Sequence, residues 1–203
     1  MKHSVSLRER KKQQTRSRLV EVSSRLFAEQ GYDATTLEQI CSEADVSVPT
    51  LLSYFESKER LALAPNYDRF EELRDLITDP ERIRSTLEIW AEFWPEGSRL
   101  GMGHPMWLAG RIRARTASLG GGYLSLLSAY QGILAQGLAD DYRTDSSRDI
   151  GTNVLAIVLS YSAHILQRQW LDSAGEMDLE ARTAELVDYV LNKLPRPAEM
   201  EAQ

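Results

Sequence analysis

The 203-residue chain is long enough for a small domain and a larger one with its own core, and it carries a net charge of -6. Its one cysteine, Cys41, excludes an internal disulfide framework and fits a reducing cytoplasm; no signal peptide is expected from the charged start. The most apolar stretch, Val154 to Leu166, is short and interrupted by Ser160, Ser162 and His164, so no membrane span is expected.

The charge is unevenly spread. Residues 1 to 18 hold seven Lys or Arg (Lys2, Arg8, Arg10, Lys11, Lys12, Arg16, Arg18) against Glu9, which is +6 and leaves -12 for the remainder. A basic N-terminal arm on an acidic body suits phosphate contact at one end and repulsion elsewhere. A solvated tail is the plainer reading of residues 1 to 8.

In chain order the hydrophobic period is 3.6 throughout, which predicts an all-α protein. A first helix spans about Leu7 to Gln30, turns Leu19, Val22, Leu26 and Phe27 inward, and closes at Gly31. Thr36 and Gln39 have capping-box spacing, and Leu37, Ile40, Cys41 and Ala44 give the next helix an apolar face. Asp45 sits where the chain must turn, and Asp tolerates the left-handed conformation. Val46 plugs the angle, Ser47 is the N-cap of another short helix, and Pro49 lies in its first turn. That helix runs to about Phe55, and Ser57-Lys58-Glu59 opens the next. Two short helices about a turn apart, behind a basic amphipathic one, have the arrangement of a helix-turn-helix that reads DNA, and by periodicity alone an ordinary helical hairpin fits as well.

GYDATT, the apolar I-C-x-x-A, VSVPT and YFESKE resemble the TetR family of bacterial transcriptional regulators over roughly residues 10 to 62. The resemblance implies an N-terminal three-helix DNA-binding domain, here 1–57, followed by a helical ligand-binding and dimerisation domain, here 58–203. YFESKERLALAPNYDRFEEL is also similar, more weakly, to regulators of mycofactocin systems. Resemblance implies that Ser47, Val48, Pro49, Thr50, Leu52 and Ser53 face the major groove, with Tyr54 and Lys58 on phosphates. Leu52 departs from the family, which commonly has Tyr there. Thr36 is a phosphate candidate at a helix N-terminus, Gln39 a source of an amide contact, and Arg16 and Arg18 sources of charge near the duplex. None of the groove-facing set offers the bidentate chemistry that Arg or Lys brings to guanine, or Asn or Gln to adenine. Val48, Pro49 and Leu52 suit thymine methyls, so the operator is expected to be read through methyls and DNA shape. Cys41 is expected to be core, where the family usually has Ala.

Beyond the motif, helices are expected over about 58 to 78, 81 to 94 (ending before Pro95) and 105 to 118. The glycines 120 to 122 are expected to break the chain before a further helix marked by Tyr123, Leu126, Leu127, Tyr130, Leu134 and Leu138. The helix at about Ser147 to Asp172 is apolar on more than one face and must be covered on nearly all sides. From Leu179, Thr183, Leu186, Val187, Val190, Leu191 and Leu194 form a stripe. By resemblance these two helices, about 147–194, pair with a twofold mate, which makes the operator palindromic. Trp90, Trp94, Trp107, Tyr123, Tyr130, Tyr161 and His164 are candidate ligand-pocket residues for a small apolar effector. An acyl-CoA or another lipid-like molecule is the class that the weaker resemblance suggests. No phosphate loop, nucleophile elbow or metal-ligand spacing occurs, so neither enzymatic activity nor a cofactor or metal is expected. The expected function is a homodimeric repressor released by its ligand; an activator of the same fold and a helical small-molecule carrier are the alternatives.

Overall fold

The computed structural model describes residues 6–96, 104–116 and 119–193, except for the side chains of 114 and 115. Expectations that fall on Lys2, on the connection over 97–103, on Ser118 and on Leu194 lie outside the described residues. Nine helices and no strand occur among the described residues: α1 Leu7–Gln30, α2 Leu37–Ala44, α3 Val48–Phe55, α4 Lys58–Thr78, α5 Thr86–Glu96, α6 Pro105–Arg115, α7 Gly120–Tyr142, α8 Ile150–Asp172 and α9 Leu179–Lys193.

The chain forms two compact units. The first comprises residues up to Tyr67 together with His104–Gly122, so α6 joins α1 to α3 and the start of α4. Its core is continuous: Leu19, Val20 and Phe27 of α1 meet Ile40, Cys41 and Ala44 of α2, Leu51 and Phe55 of α3, Leu61 and Ala62 of α4, and Ile112 of α6. Each helix contributes residues three or four apart, which lie on one face. Cys41 is 4% exposed, and burial pushes its thiol pKa up, with Glu38 adding to the rise.

Glycines 120 to 122 do not break the chain but form the first turn of α7. Packing accounts for the last of them: a Cβ on Gly122 would lie 2.4 Å from the Glu59 carboxylate and 3.0 Å from Leu63. At Gly122 the missing Cβ leaves room for the Glu59 and Leu63 side chains of α4, whereas Gly120 and Gly121 face open space. Pro95 likewise lies inside α5, which starts only at Thr86. In the final turn its missing N–H costs one hydrogen bond, and the ring is buried.

The second unit holds the rest of α4, then α5, α7 from Tyr123, α8 and α9. Leu73, Ile77, Ile89, Trp90, Leu126, Leu134, Leu138 and Leu159 are each no more than 2% exposed. The turn into α5 is held by Asp141, which accepts from the Thr86 N–H at 2.7 Å and pairs with Arg82 at 2.8 Å. Asp149 caps α8, accepting from the N–H groups of Gly151 (2.7 Å) and Thr152 (3.2 Å). Among the described residues, Ile150–Asp172 is long and apolar enough to cross a membrane by length and composition, and half of its apolar window is buried in the protein. The expected short apolar stretch is therefore part of a longer helix that doubles as core.

Candidate nucleic-acid interface

Three caps fix the geometry of α2 and α3. Thr36 Oγ1 accepts from the Gln39 N–H at 3.2 Å, while Gln39 Oε1 accepts from the Thr36 N–H at 2.9 Å, a complete capping box. Asp45 ends α2 in the left-handed region (φ 58, ψ 48) and its N–H reaches the Cys41 carbonyl. Ser47 starts α3: its Oγ accepts from the Thr50 N–H at 3.3 Å, and Pro49 occupies the first turn.

The two faces of α3 divide cleanly. Leu51 and Phe55 are buried, at 0% and 5% exposure, and anchor the helix to α1, α2 and α4. Ser47, Pro49, Leu52 and Ser53 are exposed, and Val48, Thr50 and Tyr54 are half-buried. The hydroxyls on this face are already engaged: Ser47 and Thr50 share a hydrogen bond of 2.8 Å, and Ser53 Oγ donates to the Thr50 carbonyl at 2.6 Å. The outward face of α3 therefore presents chiefly methyl and methylene groups, from the exposed Pro49 and Leu52 and from the part of Val48 that does not pack on the core.

Cations surround this helix. Arg16 lies over the Phe55 ring at 5.3 Å, and Arg18 donates to the Glu43 carbonyl at 3.2 Å, near the C-terminal end of α2. The basic residues at 8 and 10 to 12 are exposed on the first turns of α1, which Ser6 caps. Lys58 is half-buried with its Nζ 4.3 Å from the centre of the Tyr32 ring. Burial holds its pKa below the ordinary lysine value, with the Asp33 charge pulling the other way. Tyr32 in turn packs on Phe27 with ring centroids 5.2 Å apart, so Lys58 is held by a built platform. Its phenol is raised by burial first and then by Glu59 and Asp33. Tyr32 sits inside the quoted GYDATT string, yet periodicity gave no sign of its role. Gln39 has its amide oxygen committed to Thr36 and to Gln30 Nε2 (3.3 Å), which leaves the amide N–H groups for an outside partner.

The candidate pocket residues do not form one group. Trp107 is buried in the first unit. In the second unit Trp94 packs against Tyr130 (5.5 Å) and Phe93 (5.7 Å), and Tyr130 against Phe70 (5.1 Å). Trp90 is fully buried one turn from Trp94, and the indole N–H groups of both are buried without a hydrogen-bond acceptor among the described residues. Tyr123 and His164 form a separate pair, hydroxyl to Nδ1 at 3.1 Å. Tyr161 is 47% exposed, on the outer side of α8.

Residues 19–64 match the family model described as bacterial regulatory proteins, tetR family. Over 183 residues the chain is 29% identical to the HTH-type transcriptional regulator TcmR of Streptomyces glaucescens, covering 86% of this chain and 80% of that one. Its fold is similar to FadR of Bacillus subtilis in complex with stearoyl-CoA (TM-score 0.65, 15% identity, 88% and 99% of the two chains). NalD, the secondary repressor of the MexAB-OprM multidrug efflux pump in Pseudomonas aeruginosa, is similar too, with a TM-score of 0.60, 18% identity and coverage of 92% and 98%. With a helix-turn-helix capped as described and a match that spans it, residues 19–64 form a DNA-binding domain of the tetR family of bacterial regulatory proteins, and the protein is a DNA-binding transcriptional regulator.

Proposed function

We propose that the protein is a cytoplasmic, homodimeric repressor of a palindromic operator, released by a small apolar effector. DNA reading is assigned to residues 1–57, and ligand binding and dimerisation to 58–203, apart from His104–Gly122, which packs with the first unit. The contacts proposed are Ser47, Val48, Pro49, Thr50, Leu52 and Ser53 on bases, and Arg16, Arg18, Thr36, Tyr54 and Lys58 on the backbone, with Gln39 supplying an amide.

The observation that carries the dimer is the outer face of α8. Ile150, Val154, Ile157, Tyr161 and Ile165 follow one another at steps of three and four residues and are 71%, 44%, 46%, 47% and 51% exposed. Such a line is a seam rather than a scatter of surface apolar groups, and a second copy of the same seam covers it. Tyr189 and Leu191 of α9, 57% and 49% exposed, extend the apolar surface. A twofold dimer presents two reading helices, and the operator repeats accordingly.

The effector reading is supported by the aromatic cluster of α4, α5 and α7 and by its two indole donors without acceptors, which suit an apolar molecule with an oxygen or two. The stearoyl part of the stearoyl-CoA bound by Bacillus subtilis FadR is an apolar chain ending in one thioester oxygen. A ligand preferring one arrangement of the second unit shifts the population away from the DNA-competent form, through α4, whose residues belong to both units.

Selection from random double-stranded DNA tests the reading, with a Tyr54→Phe, Lys58→Ala double variant as control. A palindrome that the variant binds more weakly is the expected result, and a reporter behind that site should be silenced. Activation of the reporter refutes repression. Absence of any enriched site, from protein that is folded and dimeric, favours the carrier reading instead.

A further inference from the structure

A cavity of about 450 Å³ opens within the first unit, between the end of α1, the turn after it and α6. Phe27, Tyr32, Leu108 and Ile112 give it apolar walls, and Arg111 and Asp33 stand among its polar lining residues. Gly31 also borders it, with φ at 91 and open space where a Cβ would be. The volume falls in the range of small-molecule sites, and the lining shares no residue with the aromatic cluster of the second unit.

The two charges are not equivalent. The field of Asp33 is spent on Lys58 and Tyr32, both of whose pKa values it raises. Arg111 is exposed and has no hydrogen bond or ion pair among the described residues. A guanidinium beside apolar walls matches a carboxylate joined to an apolar body, because the fork binds both carboxylate oxygens. The nearby Asp33 carboxylate disfavours a second anionic group on the same molecule.

We propose that this cavity binds a small monocarboxylate with an aromatic or branched apolar body, its carboxylate on Arg111 and its body against Phe27, Tyr32, Leu108 and Ile112. Such a molecule touches the same Tyr32 ring that carries Lys58, so its binding is linked to DNA affinity, and the linkage is reciprocal. The site itself does not depend on the effector proposed for the second unit, whereas the linkage rests on Lys58 as a DNA contact.

Phenylacetate is the probe, titrated into the full chain while the tyrosine ring signals are followed by NMR. Saturable shifts at Tyr32 are expected, weakened about tenfold or more by Arg111→Gln, which removes a charge-assisted hydrogen bond, and partly restored by Arg111→Lys. Arg111→Glu should lose phenylacetate and gain phenethylamine, a cation of similar shape. Arg111 is exposed, so these variants keep the thermal unfolding midpoint of the parent, which is measured alongside. Shifts at Tyr123 or Tyr130 with Tyr32 unmoved, or equal binding by Arg111→Gln, overturn the site. Operator affinity is then measured at saturating phenylacetate: a change of about fivefold or more supports the linkage, and no change overturns it.

Discussion

Ile157→Asp is the sharpest perturbation of the proposed dimer. Ile157 is 46% exposed, at the middle of the α8 seam. Full burial of an isoleucine contributes about 1.5–3 kcal/mol, so covering the exposed half contributes about 1 kcal/mol per protomer and about 2 kcal/mol per twofold dimer. Truncation to Ala therefore weakens dimerisation roughly 30-fold. Asp adds the desolvation of two carboxylates brought near the axis, several kcal/mol more, so association is lost at micromolar concentration. Light scattering behind size exclusion, from about 1 to 100 µM, reads the mass directly. The expected result is a dimeric parent, a concentration-dependent Ile157→Ala and a monomeric, still helical Ile157→Asp. Ile83, 98% exposed and off the seam, is the control, and Ile83→Asp should leave the mass unchanged. An Ile157→Asp protein that stays dimeric at low concentration, or a parent that is monomeric throughout, refutes the assignment of α8 to the interface.

Three further outcomes are expected. Lys58→Met should weaken binding to all DNA sequences alike and reduce the slope of log K against log salt by about 1, as measured by fluorescence anisotropy. Asp149→Ala removes the acceptor for two N–H groups at the start of α8, and chemical denaturation should show a loss of about 1–2 kcal/mol. Cys41 has a raised thiol pKa in the folded chain, so the unfolded chain releases the proton first and stability falls as pH climbs through and beyond the ordinary thiol range; Cys41→Ala should flatten that part of the curve in urea titrations.

The first three helices were legible because their signals are local. A capping box needs only Thr36 and Gln39, a turn only Asp45, and a helix start only Ser47 and Pro49, all within one segment. What escaped depends on residues far apart in the chain. Nothing in the period of Pro105–Arg115 says that it packs on α1 in the first unit, because an apolar face specifies that it will be covered and not by what. For the same reason Trp107 reads like Trp90 in the sequence, although the two belong to different units. Gly120 to Gly122 read as a break because glycine is poor in isolated helices; at Gly122 alone, Glu59 and Leu63, some sixty residues earlier, leave little room for a Cβ. Among the contact candidates, sequence gave residue types and resemblance gave roles, but the Tyr32 platform under Lys58 appears only once α1 and α4 are assembled.

The engagement of the α3 hydroxyls bears on how this protein discriminates among sequences. A serine or threonine that must give up an internal hydrogen bond to reach a base gains little from the exchange, since the net value of such bonds is about 1 kcal/mol. Ser47 and Thr50 share one hydrogen bond and Ser53 donates to the Thr50 carbonyl, so two of the three hydroxyl hydrogens are committed and one, on Ser47 or Thr50, is left for a base. Val48, Pro49 and Leu52 lose nothing on approach and gain apolar contact where a thymine methyl projects. Base preference then arises from methyl positions and from the ease with which the duplex takes up the required shape, while Lys58, Tyr54 and the basic turns of α1 set register on the phosphates. It follows that Leu52→Ala should broaden sequence preference more than it weakens binding to random DNA, whereas Lys58→Met should do the reverse. The opposite pattern in the two selections would place discrimination in the backbone contacts and remove the methyl-reading role from α3.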